Sequence, residues 1–242
     1  MDDARTLFPR GLLQPHASLH FGMDSLMLAC ACHHELPHKL THFVDLGSGC
    51  GSTLFGLALL RPHAIGLGIE QDPTLVAASH SNCQTLGLQD RLTFRCFDLS
   101  AIDTVPLPFS LGTWDCVAAN PPFYAPNEGR PSLDAMRNRA MRACGTHQVF
   151  IQAASRLLRH KGYFVCIMVA NKLCQWLAAC SAFGLGVRHL LPIASHPNTP
   201  AKRIILVAQK NAANDSVLHA PLVVHTADGG ITDAARSYCP WL

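Results

Sequence analysis

The chain has 242 residues, of which 49% are hydrophobic and 14% are charged, and its formal net charge is +3. These proportions predict one compact globular domain with a substantial core, and the small net charge does not by itself indicate a nucleic-acid binder. No stretch approaches the ~18 consecutive apolar residues of a membrane span, and the first residues lack the pattern of a signal peptide. We therefore expect a cytoplasmic protein.

The eleven cysteines are an odd number, and most lie in apolar segments, where a thiol behaves as a small hydrophobic group. We expect free thiols and no disulfide framework. The cluster Cys30-Ala-Cys32-His33-His34 suggests zinc, but no second pair of ligands follows at the spacing of a zinc finger. The alternative is a helix end that packs its cysteines, and we expect no bound metal.

Short apolar runs alternate with helical patterns along the chain, which predicts an α/β fold with a doubly wound, Rossmann-like sheet. Seven strands are expected, at His42–Leu46, Ile65–Glu70, Leu92–Cys96, Trp114–Ala119, Tyr163–Val169, Gly186–Leu191 and Arg203–Gln209. Helices are expected at Thr53–Leu60, Thr74–Leu86, His147–Arg159 and Leu173–Phe183. The last connection, Leu191–Pro200, contains three prolines. Because such a segment is a poor helix, the final strand is expected to be antiparallel to its neighbour.

No linker divides the chain, so the whole of residues 1–242 is predicted to form one domain. Within it we distinguish an N-terminal segment, 1–35, a Rossmann-like core, 36–210, and a C-terminal extension, 211–242. In the extension, Leu222–His225 is followed by a glycine-containing turn, a pattern that predicts a strand ending in a turn.

A glycine-rich loop, Asp45-Leu-Gly47-Ser48-Gly49-Cys-Gly51, follows the first predicted strand and precedes a helix. Glycines at such a place let the backbone approach a ligand closely. Asp45 could orient the loop or meet an ammonium group of the ligand. The third glycine of the dinucleotide pattern is replaced by Ser52, which favours a methyl-donor loop over an NAD loop.

Two acidic residues end the next two predicted strands. Glu70 is placed to accept hydrogen bonds from both hydroxyls of a ribose, and Asp98 from an adenine amino group. Each could instead be an ordinary strand-end or helix-cap residue. Because they occur in order behind successive strands, we predict that both bind cofactor, together with their neighbours Gln71 and Leu99.

The tetrapeptide Asn120-Pro121-Pro122-Phe123 follows the fourth predicted strand. An exocyclic amine or a primary amide delocalises its lone pair and is a poor nucleophile until it is pyramidalised. The side-chain oxygen of Asn120 and the carbonyl of Pro121 would accept its two hydrogens, the prolines would fix the backbone, and Phe123 would stack on the base or amide plane. This arrangement predicts transfer of a methyl group to nitrogen, unless Asn-Pro-Pro forms only a turn.

Residues 128–161 hold seven basic residues against two acidic ones. Arginine forks match phosphate geometry, and this stretch begins directly after the Asn-Pro-Pro-Phe element, where a substrate would lie. A solvated helix face is the alternative for any one of these arginines.

The glycine loop, Ile69–Asp72 and Asn120–Phe123 together resemble the class I S-adenosylmethionine-dependent methyltransferases that modify exocyclic nitrogen. Leu13–Pro15 and Leu19–Ala29 resemble the N-terminal segment of a small-domain family that includes the bacterial valine tRNA adenine-37 N6-methyltransferase. The resemblance covers most of residues 10–235 and extends to the segments Gly129–Ser132 and Ala201–Lys210.

The resemblance implies a function and further site residues. It implies S-adenosylmethionine as cofactor, an RNA substrate and a lid over the methyl donor, with Phe21 and Asp24 near the methionine end of the cofactor. Asn120 would then border both cofactor and substrate. The implied substrate contacts comprise Phe21, Arg130, Arg137 and Arg139.

Three alternatives to methylation of adenine N6 in transfer RNA remain at this point. Phe123 replaces the tyrosine usual in the adenine enzymes and also occurs in relatives that methylate guanine N2 of ribosomal RNA. A protein glutamine methyltransferase would need the same pair of acceptors, the Asn120 side-chain oxygen and the Pro121 carbonyl, which we call the clamp. Such enzymes, however, usually carry a separate N-terminal domain. The last alternative is a binding module that has lost activity.

Overall fold

The computed structural model describes residues 4–15, 22–122 and 147–242. Among the helices of these ranges, none combines the length and the apolar character that crossing a bilayer requires. The ten cysteines in these ranges carry free thiols, as expected.

Helices and strands alternate through the first two thirds of the chain. The α-helices of the described ranges are α1 (Ala4–Leu7), α2 (Met23–His34), α3 (Ser52–Leu60), α4 (Pro73–Thr85), α5 (His147–Leu157), α6 (Leu173–Ala182) and α7 (Asp233–Tyr238). The strands are β1 (His42–Leu46), β2 (Ile65–Glu70), β3 (Leu92–Cys96), β4 (Trp114–Ala119), β5 (Leu158–Val169), β6 (Leu185–Ala194), β7 (Arg203–Lys210), β8 (Val217–Leu218) and β9 (Leu222–Val223). Short 3-10 turns follow β3 at Leu99–Ala101 and β5 at Ala170–Lys172.

The strands of the described ranges form one nine-stranded sheet in the order β3-β2-β1-β4-β5-β7-β6-β8, with β9 also paired to β6. The first five strands are parallel, and β7 lies antiparallel between β5 and β6. The predicted α/β fold and the antiparallel last long strand are therefore confirmed. Beyond the seven predicted core strands, β8 and β9 extend the sheet along β6. The strand predicted at Leu222–His225 is present as β9, whereas β8 was not predicted.

Several predicted boundaries are wrong, above all the one between α5 and β5, since the helix expected to reach Arg159 ends at Leu157 and the strand expected from Tyr163 begins at Leu158. Leu158 instead pairs with Trp114 of β4. The register then shifts before Tyr163 pairs with Cys116, and Lys161 adopts a positive φ of 58° within this bulge. A bulge adds residues to one strand without a periodic signal in the sequence, which is why the helical pattern seemed to continue.

Helices cover both faces of the sheet. Since successive side chains of a strand point to opposite faces, each strand contributes to two apolar layers. On one face Phe43, Cys116 and Val165 pack with α2, α3 and α4, and on the other Val44 and Val117 pack with α5 and α6. The parallel strands are thus buried on both sides.

Helix α2 is part of the first layer, because every residue from Ser25 to Cys32 is buried. Its carboxyl end is held by Arg61, which is 6% exposed and donates to the carbonyls of His33, Leu36 and Pro37. The amino end of α2 is thereby directed to the edge where the parallel strands end, which is the edge that binds ligands in open α/β sheets.

Candidate active site

The glycine loop connects β1 to α3 and is bound to the end of β2. The amides of Gly47 and Ser48 donate to the carbonyl of Ile69, at 2.8 and 3.1 Å. Gly47 has a φ of +67°, and a methyl group added there would lie 3.4 Å from the ring of Phe150. The positive φ is the main reason for glycine here, because the added methyl group would only come into van der Waals contact with Phe150.

Glu70 fixes both this loop and the turn after β2. One carboxylate oxygen accepts from the amide of Gly49 at 3.0 Å, and the other accepts from the amides of Gln71 and Asp72 at 2.8 and 3.0 Å. A carboxylate has about four acceptor positions, so three are occupied and one remains on the oxygen that binds Gly49. One acceptor position of Glu70 is thus open to a ligand, and its predicted contact with both hydroxyls of a ribose stays a prediction.

Asp45 is buried at the end of β1, with 2% of its surface exposed. Burial and the nearby charge of Glu70 raise the pKa of Asp45 to about 8, against a hydrogen bond from Thr53 that lowers it. Burial also raises the pKa of Glu70, although its three backbone donors oppose that shift. Two carboxyl groups at neighbouring strand ends would favour a cationic ligand.

We expect Asp45→Asn to remove a pH dependence from the stability of the unliganded protein. The native Asp45 keeps its proton up to a pH of about 8, whereas the unfolded chain loses it near ~3.9. The folded state thus binds more protons between these values, and its stability falls as the pH rises through that window. Thermal melting at about pH 5.5 and about pH 8 should show a smaller loss for the variant. Equal losses in both proteins would contradict the raised pKa of Asp45.

An open cleft with about 340 Å³ of empty space lies beside the glycine loop. Five predicted cofactor residues border it, namely Gly47, Glu70, Gln71, Asp98 and Leu99. The sequence analysis missed the other five, which are Ile69, Phe97, Ser100, Val149 and Phe150. The cleft therefore joins two carboxylates to an apolar and aromatic wall, a composition typical of nucleotide sites.

Asp98 serves as a cap and also borders the cleft. One of its oxygens accepts from the amide of Ser100 at 2.9 Å, at the start of the 3-10 turn after β3. The residue is exposed, so its other oxygen is accessible to a ligand. Phe97 could have been found from its place between β3 and Asp98. Val149 and Phe150 lie in the first turn of α5, and their approach to the glycine loop has no signal in residue spacing.

Asn120 follows β4 at the same edge and is half-buried. Its side-chain nitrogen donates to the hydroxyl of Ser25 at 3.1 Å, and Ser25 is buried in the first turn of α2. Because the nitrogen is engaged by the protein, the amide oxygen is the group left to accept a hydrogen. Pro121 and Pro122 continue from Asn120, the first buried and the second half-buried.

Asp24 precedes Ser25 on α2 and forms an ion pair with Arg203 at the start of β7, with 3.0 Å between Oδ2 and Nε. The residue predicted near the methionine end of the cofactor thus lies at the site edge, paired with a cation. Ser48 is buried, and its hydroxyl faces Gly68 of β2, where an added methyl group would lie 2.7 Å away.

Five predicted site residues lie outside the described ranges, namely Phe21, Phe123, Arg130, Arg137 and Arg139. Their roles stay predictions. Within the described ranges, His, Cys, Asp and Glu form no group of three or more that could hold a metal ion. Cys30 and Cys32 are both buried in α2.

The protein is an open α/β protein with a candidate ligand site at the carboxyl ends of its parallel strands. The glycine loop, the carboxylate of Glu70 and the amide of Asn120 lie at this edge of the sheet. A family model described as a methyltransferase domain matches residues 37–198. The chain belongs to this methyltransferase domain family.

Two kinds of curated relatives match the chain. A tRNA1(Val) (adenine(37)-N6)-methyltransferase of Porphyromonas gingivalis is 22% identical over 223 residues, which cover 89% of this chain and 85% of that protein. A release factor glutamine methyltransferase of Rhodospirillum rubrum is 38% identical over 80 residues, 33% of this chain. This second match spans only 22% of that relative's length.

Solved structures share the fold at low sequence identity. A predicted O-methyltransferase from Agrobacterium tumefaciens is similar with a TM-score of 0.72 and 18% identity, over 90% of this chain and 96% of that one. A geranyl diphosphate methyltransferase in complex with SAM has a TM-score of 0.52 and 13% identity, over 76% of this chain and 84% of that one.

Proposed function

We propose that the protein transfers a methyl group from S-adenosylmethionine to an exocyclic amine of an RNA base, with N6 of adenine in a transfer RNA as the favoured target. The observation that carries this proposal is Asn120, which follows β4 with its amide nitrogen held by Ser25. It lies on the same sheet edge as the glycine loop and Glu70.

The cleft residues suit the parts of S-adenosylmethionine. The remaining acceptor position of Glu70 would take a ribose hydroxyl, and Asp98 with the backbone of Leu99 would meet the adenine edge. Phe97 and Phe150 would pack on the adenine ring, while the backbone of Gly47 would approach the methionine part. Bound there, the cofactor supplies an electrophilic methyl group.

The clamp prepares the nucleophile. The Asn120 oxygen and the Pro121 carbonyl would accept the two hydrogens of an amine and localise its lone pair on nitrogen. Both oxygens would be held before substrate arrives, that of Asn120 through the bond to Ser25 and that of Pro121 because the following Pro122 restricts its ψ. Positioning of this kind can remove a large part of the barrier to methyl transfer. The proton of the amine can leave after the new bond has formed.

RNA is favoured as substrate by two arguments. The relatives that match most of the chain are named as transfer-RNA adenine methyltransferases. A base in an anticodon loop is already outside a duplex, so presenting it to the clamp costs less than extruding it from paired strands.

A second candidate function is methylation of a glutamine side chain in a protein. The local identity of 38% to a release factor glutamine methyltransferase favours it, and a primary amide presents the same two hydrogens to Asn120. Guanine N2 is the alternative target within RNA.

Methyl transfer from labelled S-adenosylmethionine separates RNA from protein as the substrate. The purified protein is incubated with an unmodified transfer-RNA transcript in one arm and with a glutamine-containing release factor in the other. The proposal predicts label in the RNA arm that nuclease releases and protease does not. Label only in the release factor would overturn it. If calorimetry detected no binding of S-adenosylmethionine, a non-catalytic module would be favoured instead.

Ser25→Ala is expected to lower kcat about tenfold with little change in the KM for S-adenosylmethionine, because the Asn120 amide would lose the bond that orients it. Ser25→Thr, which keeps a hydroxyl, should recover part of that loss. In an Asn120→Ala background, Ser25→Ala should cost almost nothing further, since Ser25 acts through Asn120. Additive losses in the double variant would show that Ser25 acts on stability or on the cofactor instead.

A further inference from the structure

A basic surface continues from Asn120 along the ligand edge of the sheet. We call it the basic rim, and it consists of Ala170–Lys172 after β5, residues 195–203, which connect β6 to β7 and include the first residue of β7, and His225 after β9. Arg203 pairs with Asp24, whose neighbour Ser25 holds Asn120, so the rim adjoins the proposed clamp. From β4 to β6 there are three strand spacings of ~4.8 Å, a reach of ~15 Å, which matches about four base steps of ~3.4 Å.

The rim is held in one shape by its own hydrogen bonds. The amide of Ala170 donates to the carbonyl of Lys202 at 3.1 Å. The hydroxyl of Thr199 donates to the carbonyl of His196 at 2.7 Å and closes the turn between Pro197 and Pro200. A connection that is already ordered loses little conformational entropy when it binds a partner.

Two histidines at the far end of the rim are stacked. The rings of His196 and His225 lie 5.2 Å apart at an angle of 24°. The inner ring is held by a hydrogen bond between Nδ1 of His225 and the carbonyl of Ser195, at 3.1 Å, and His196 is exposed. The outer face of His196 is therefore a flat surface on which a further ring can stack.

The charge of the rim is positive. Residues 170–172 and 195–203 contain two lysines, one arginine and no acidic residue. Lys202 is exposed and Lys172 half-buried. Arg203 is paired with Asp24, so the two lysines supply the net positive charge of these segments. Asp228 lies outside the rim, three residues after His225, and accepts from the hydroxyl of Thr226.

We infer that the basic rim binds the RNA backbone next to the target base, with a neighbouring base stacked on His196. This inference extends the proposed function and names the surface that would hold its substrate. Lysines matched to phosphates together with a planar ring for stacking are the two elements by which proteins hold single-stranded nucleic acid. An acidic protein partner would pair with the lysines, but it would not account for the exposed stacking face of His196.

Binding of an unmodified transfer-RNA transcript to the full-length protein tests the inference. Lys202→Glu should weaken binding about tenfold at low salt and reduce the slope of log K against log salt by about 1. His196→Ala should weaken binding about fivefold with the slope unchanged, because stacking involves no counterion release. Affinity for S-adenosylmethionine should stay at the wild-type level in both variants, since neither residue borders the cleft.

Matched controls come from the opposite edge of the sheet. Lys39→Glu and His63→Ala change exposed residues that precede β1 and β2, and both should bind RNA like the wild type. If the rim variants bind as tightly as the wild type while RNA is still methylated, the rim inference is wrong and the proposed function stands. Equal losses in Lys39→Glu and Lys202→Glu would also overturn it, since general charge would then explain binding. A wild-type protein that neither binds nor methylates RNA would overturn both.

Discussion

Asn120→Ala is expected to lower kcat by ~10²-fold or more while S-adenosylmethionine binds almost as well as to the wild type. Removal of a single acceptor that acts in the transition state has effects of this size. Asn120 does not border the cleft assigned to the cofactor, which is why binding should survive. Single-turnover methyl transfer together with calorimetry of the cofactor would measure the two quantities separately.

Asn120→Asp is the informative companion to that variant. It retains an acceptor oxygen but loses the nitrogen that donates to Ser25. We therefore expect a rate between those of the wild type and Asn120→Ala. Turnover of Asn120→Ala within a few-fold of the wild type would remove the residue from the chemistry.

Glu70→Ala is expected to weaken binding of S-adenosylmethionine by ~10²-fold. The variant loses a charged hydrogen bond to the ribose, worth ~1.5–3 kcal/mol, and it also releases the amide of Gly49 that Glu70 holds in the loop. Calorimetric titration measures the affinity, and thermal melting checks that the variant is folded. Glu70→Gln keeps an acceptor and should lose less.

Asp72→Ala provides the matched control for Glu70. Asp72 lies two residues away and caps α4 through the amide of Thr74, and it does not border the cleft. Its removal should cost ~1 kcal/mol of stability and leave cofactor affinity within about threefold. Similar losses of affinity in Glu70→Ala and Asp72→Ala would mean that net negative charge, and not the position of Glu70, determines binding.

The fold was predictable because its signals are periodic and local. Runs such as Leu67–Ile69 and Val117–Ala119 are apolar on both faces, and they are the buried parallel strands that such runs predict. The prolines between β6 and β7 correctly predicted an antiparallel strand. Boundaries failed where tertiary pairing decides them, as at Leu158, which joins β5 through its contact with Trp114.

The sequence indicates candidate site residues where a residue type has one characteristic use, as glycine has in a tight turn. Gly47 and Gly49 both have a positive φ, Gly47 and Glu70 border the cleft, and Glu70 accepts from the amide of Gly49. The contacts of α2 could not be predicted, because Ser25 and Asn120 are 95 residues apart and a serine in an apolar run has no distinctive pattern. Phe150 was missed for the same reason.

Mass spectrometry of nucleosides from transfer RNA treated with the protein and deuterium-labelled S-adenosylmethionine tests the central claim most directly. The claim is that two fixed oxygens, on Asn120 and Pro121, present an amine to the methyl group. It predicts a labelled nucleoside with the methyl on an exocyclic nitrogen, N6-methyladenosine, and its loss in Asn120→Ala. Label on a ring nitrogen or on a ribose oxygen would contradict the claim, because neither position carries an amine for the clamp to hold.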